Sequence, residues 1–103
     1  VKVRLITDDL LFGSKVEAMI REAGGEQATE GEVALTILDL TDAGGEVAKA
    51  VEFARAGGAP ILAYYSHVDD DVRRAALEAG VEKLVPRSRM MREGAALIAA
   101  TAA

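Results

Sequence analysis

Apolar and polar positions alternate along the chain in a way that separates four short strands from four helices. The apolar runs are residues 3–7, 33–38, 61–65 and 81–85. The second and third are nearly unbroken, as in strands covered on both faces of a parallel sheet. Between and after the runs, apolar residues recur at helical spacing. Phe12, Val16, Met19, Ile20 and Ala23 share one helix face, as do Val47, Ala50, Val51 and Ala54, and then Val72, Ala75, Ala76 and Ala79. Gly24-Gly25, Gly57-Gly58 and Gly80 follow these three patterns as helix stops. A last helix is expected to start near Ser88 as N-cap and to present Met91, Ala95 and Ile98. Strand–helix alternation to the end predicts an α/β domain of three layers, a parallel sheet with helices on both faces and right-handed crossovers.

One stretch does not fit a complete alternation. Only seven residues, 26–32, separate Gly25 from the second run. A parallel crossover needs at least about 10–12 residues. The second strand–helix unit is therefore shortened or missing, with room for a short extended piece around residues 27–29.

Length and composition narrow the class. At 103 residues the chain fits a single domain, 1–103, and its 50% hydrophobic content supports a packed core. The formal charge is -5 and the basic residues are scattered, which predicts no nucleic-acid partner. No cysteine is present, so disulfides, thiol chemistry and Cys-based zinc sites are excluded. No apolar run approaches the ~20 residues of a membrane span, and a cytoplasmic location is the expectation.

In open parallel sheets, ligands bind beyond the carboxyl ends of the strands. Asp8 and Asp9 follow the first run, Asp39 ends the second, Tyr65-Ser66-His67 ends the third, and Pro86-Arg87 follows the fourth. Three carboxylates from two strands would repel one another at close range, and a hard divalent ion such as Mg²⁺ is the usual remedy.

These residues carry a family resemblance. The acidic pair Asp8-Asp9, Asp39 at the end of the central strand, the segment from Pro60 to Ala63, and Ala76-Leu77-Glu78-Ala79-Gly80-Val81 stand in the order and spacing of response-regulator receiver domains. The chain resembles that family over nearly its whole length, apart from the short 25–33 segment. The resemblance implies a flavodoxin-like receiver fold and a signalling role in a two-component phosphorelay. It implies a phosphoryl group accepted on Asp39, and Mg²⁺ held by Asp8, Asp9, Asp39 and the Thr41 backbone carbonyl. The implied partner is a histidine kinase or another signalling protein, met through the region around residues 72–98. Signalling rather than enzyme turnover is the expectation.

Two family positions differ. The strand-ending Ser or Thr is Tyr65 here, with Ser66 one residue on, and the Lys after the last strand is Arg87. Ser66 and Arg87 are the candidate phosphoryl contacts, although the planar guanidinium fork is no substitute for a point ammonium. Leu84 stands where the family often has an aromatic switch residue. These departures support an alternative, a phosphorylation-independent pseudo-receiver acting as an interaction or dimerisation module.

Plainer roles fit other features. Asp8 and Asp9 can cap the first helix, and Asp69-Asp70-Asp71 suit a helix N-terminus. His67 reads as a solvated loop residue, Tyr64 and Tyr65 as packed in or beside the sheet, and Met90 and Met91 as core filler. No Gly-x-Gly-x-x-Gly fingerprint or Walker loop occurs.

Overall fold

The strand–helix alternation becomes a five-stranded parallel sheet in the order β2-β1-β3-β4-β5. The computed structural model describes residues 1–103. The strands are β1 (Lys2–Ile6), β2 (Glu26–Gln27), β3 (Leu35–Asp39), β4 (Ile61–Tyr65) and β5 (Lys83–Pro86). The helices are α1 (Leu10–Glu22), α2 (Val47–Arg55), α3 (Asp70–Glu78) and α4 (Arg87–Ala102), with a 3₁₀ turn at Gly44–Glu46 leading into α2. This is the flavodoxin-like strand order, whose reversal between β1 and β3 opens a crevice at the carboxyl end of the sheet.

Register carries the two-sided burial. Arg4 pairs with Thr36 and Thr36 with Ile61. Odd residues of β3 and even residues of β4 face α1 and α4, where Phe12, Val16, Ile20, Leu35, Ile37, Leu62, Tyr64 and Met90 form one core. The opposite parity packs Leu38, Leu40, Ile61, Ala63 and Tyr65 against Val47, Val51, Val72 and Ala76. Each fully buried Leu or Ile contributes roughly 1.5–3 kcal/mol.

Local chemistry fixes the helix ends. Asp9, in extended conformation, accepts a hydrogen bond from the Phe12 N–H (3.0 Å) and starts α1. Asp69 does the same for α3 through Val72 (3.2 Å), with Asp70 and Asp71 in the first turn opposing the helix dipole. α1 stops where Gly24 takes φ +83° and the Gly25 N–H reaches back to the Ile20 carbonyl (2.8 Å).

The short second unit is present as a strand without its helix. β2 pairs only Glu26 with Lys2 and Gln27 with Val3. The following loop is tied to β1 at both ends, Ala28 N–H to the Val3 carbonyl and Ala34 N–H to the Lys2 carbonyl. The sheet edge thus consists of β2 and this loop beside β1.

The structure corrects two expectations for the last helix. It starts at Arg87, not after a Ser88 cap, because Pro86 ends β5 at φ -63°, ψ 150° and passes straight into the helix. Its buried face is Met90, Gly94, Leu97 and Ile98, one position from the expected Met91 and Ala95. Met91 is 43% exposed, while Met90 is wholly buried.

Candidate functional site: an acidic recess at the carboxyl end of the sheet

Neighbouring strand ends bring the candidate residues together. Register continues past Ile6–Leu38, so Thr7 lies beside Asp39, and Asp39 pairs in turn with Tyr64. Asp8, Asp9, Asp39 and Thr41 line one open recess of about 600 Å³, with Ile6 and Phe53 among its apolar walls. Asp8 is exposed, whereas Asp9 and Asp39 are half-buried.

Both oxygens of Asp39 are engaged. Thr7 Oγ1 donates to Oδ2 at 2.6 Å and the Thr41 N–H donates to Oδ1 at 2.8 Å. Thr7 Oγ1 also accepts from the Asp9 N–H at 3.0 Å, which links the acidic loop to the central strand. Sequence reasoning missed Thr7; its position directly before an acidic pair at a strand end was the available signal. It also assigned Tyr64 only a packing role. The Tyr64 ring packs on Phe12 (centroids 5.1 Å) and is wholly buried. Its hydroxyl falls short of hydrogen-bonding geometry with any partner. Burial pushes the Tyr64 phenol up and the nearby Asp39 charge adds to that, so the hydroxyl keeps its proton.

Asp9 is held from two sides. Oδ1 takes the Phe12 N–H, and Oδ2 takes Arg87 Nη2 at 3.1 Å. The helix cap holds the Asp9 carboxyl below its ordinary value, and the Arg87 charge adds to this against the opposing effect of desolvation. The Arg87 guanidinium also lies over the Phe12 ring, 4.2 Å from its centroid.

Ser66 and Arg87 occupy a second open recess of about 540 Å³, with Lys15, His67 and Met91. Thr41 borders both recesses, and Arg87 reaches from the second to Asp9 in the first. Tyr65 points into the opposite core and offers no hydroxyl to the site. His67 is an exposed loop residue.

No three acidic or histidine side chains are arranged to hold an ion. A carboxylate oxygen with one hydrogen bond keeps a second lone pair, and charge adds a further obstacle to that geometry. A divalent ion on Asp9 would sit beside the Arg87 guanidinium. As arranged, Asp8, Asp9 and Asp39 do not fit Mg²⁺.

No family model matches the sequence, and no curated protein matches it. Solved structures match closely in fold. A response regulator from Thermotoga maritima superposes with a TM-score of 0.76 at 10% identity, covering 98% of this chain and 96% of that one. A response regulator receiver protein from Burkholderia phymatum gives 0.77 at 19% identity, covering 98% and 94%. The receiver domain of a sensor histidine kinase from Pseudomonas aeruginosa gives 0.76 at 17% identity, covering 98% and 96%; that protein has a magnesium ion coordinated in its active-site cleft. The chain has the fold of response-regulator receiver domains. No helix is long and apolar enough to cross a membrane.

Proposed function

We propose that the chain is a receiver-like signalling module of a phosphorelay, with Asp39 as phosphoacceptor and output through protein contacts. One observation supports this most. Asp39 stands at the carboxyl end of the central strand β3, across a single recess from Asp8 and Asp9, at the switch point of the sheet. In this reading an Asp39 oxygen attacks phosphorus, and the bond from phosphorus to the donor's leaving group breaks as the new bond forms. The Thr7 hydroxyl and the Thr41 N–H orient the carboxylate for attack. The donor is a histidine kinase or another signalling protein.

A second reading rests on the Arg87–Asp9 ion pair and on the burial of Tyr65. Here the chain is a phosphorylation-independent pseudo-receiver, a protein-interaction or dimerisation module. Intact-mass measurement after incubation with a small acyl phosphate, with and without MgCl₂, separates the two. The expected result is one added phosphoryl group on the native chain and none on Asp39→Ala. No addition to the native chain rejects the phosphoacceptor role and leaves the second reading.

A further inference from the structure

We propose that Arg87 is the resident counter-cation of the acidic recess, and that a divalent ion binds there only when its guanidinium leaves Asp9. The inference rests on reading Asp8, Asp9 and Asp39 as a receiver-type acid site, but not on Asp39 being phosphorylated.

The arrangement is built from three elements. β5 runs parallel to β4, with Pro86 opposite Tyr65, and so delivers Arg87 to the carboxyl end of the sheet as the first residue of α4. There Nη2 meets Asp9 Oδ2 at 3.1 Å, while Asp9 Oδ1 is fixed by the α1 backbone. The flat face of the guanidinium covers Phe12, whose ring is itself locked against buried Tyr64. The cation therefore has an ionic partner and an aromatic seat at once. A lysine ammonium would have neither the fork nor the stacking face.

The charge balance points the same way. Among Asp8, Asp9 and Asp39, only Asp9 has an ion-pair partner, and that partner is Arg87. Lys49, on the wall of the same recess, pairs with Glu46, and Lys15 lies in the neighbouring recess. A divalent ion near Asp9 would feel the adjacent positive charge at short range in a half-buried setting, where screening is weaker than in water. Arg87 thus offsets part of the carboxylate repulsion and opposes a metal through the same contact.

Amide spectra of the ¹⁵N-labelled chain during MgCl₂ titration test this directly, comparing the native chain with Arg87→Met and Arg87→Lys. Methionine keeps an apolar stem over Phe12 without charge, and lysine keeps the charge without the fork. Urea unfolding of each variant verifies folding. The native chain is expected to show no saturating change at residues 8, 9, 39 and 41 at millimolar MgCl₂. Arg87→Met is expected to saturate there at least about tenfold more tightly, roughly 1.4 kcal/mol, with Arg87→Lys in between. If Arg87→Met does not fold, the comparison of Arg87→Lys with the native chain carries the test, with tighter binding still expected. Equal affinity in the native chain and the folded variant overturns the proposal, as does a folded Arg87→Met that binds no Mg²⁺. Phosphoryl transfer is read separately by mass. A native chain that takes no phosphoryl group sinks the phosphoacceptor reading while leaving the cation comparison intact.

Discussion

Thr36 is the one buried polar residue of the sheet's centre, with zero exposure, and its hydroxyl has no hydrogen-bond partner. Its backbone N–H is satisfied by the Pro60 carbonyl, so the cost falls on the side chain alone. An unpaired buried hydroxyl costs on the order of 1–3 kcal/mol. Valine has nearly the same shape and no polar atom. Thr36→Val is therefore expected to stabilise the chain by about 1 kcal/mol, raising Tm by roughly 4–8 °C in a domain of this size. A thermal melt that shifts downward instead would show that the hydroxyl has a partner. Asp8, Asp9 and Asp39 are visible in the sequence because they follow apolar runs, at the strand ends where open parallel sheets bind ligands. The partnership of Arg87 with Asp9 is not visible, because 78 residues separate them and only the sheet register brings them together.

At the scale of elements, α4 shows how a small residue hides a helix face. Its buried positions 90, 94, 97 and 98 keep perfect helical spacing, but Gly94 carries no hydrophobic signal. The glycine is there for space: a Cβ at Gly94 would lie 2.1 Å from Met19 Sδ, where α4 meets α1. Gly94→Val would overpack this seam, and a destabilisation of about 1–3 kcal/mol is expected from urea unfolding. No loss would mean that Met19 can repack without strain. Strands β3 and β4 were legible from their continuous apolar runs, and the lost crossover helix from simple chain length. β2 was only roughly placed, because two exposed residues have no periodicity, and what fixes them is pairing with Lys2 and Val3.

At the scale of the whole molecule, the two ends of the sheet hold charge in different ways. The carboxyl end carries the acidic recess. The amino end is tied by Glu82, which accepts from the Ile61 N–H at 2.9 Å and from Arg55 Nη1 at 2.8 Å, while Arg55 Nη2 binds the Gly80 carbonyl. One side chain thus joins the end of α2, the start of β4 and the approach to β5. Desolvation alone would raise the Glu82 carboxyl, but the bonds from Arg55 and Ile61 outweigh it and hold the group below its ordinary value. A carboxyl lowered in the folded state contributes stability that is present above its unfolded value, near 4.3 for Glu, and is lost as pH falls through the folded value. The pair is partly solvated, so its share is under about 1 kcal/mol. Urea midpoints measured from pH 6 down to pH 3 should fall for the native chain, and fall less steeply for Glu82→Gln, which can still accept from Ile61 but has no charge to lose. Asp9, lowered in the same direction at the other end of the sheet, keeps a residual acid dependence in that variant. Identical slopes in the two chains would place the acid sensitivity wholly outside the Glu82 tie.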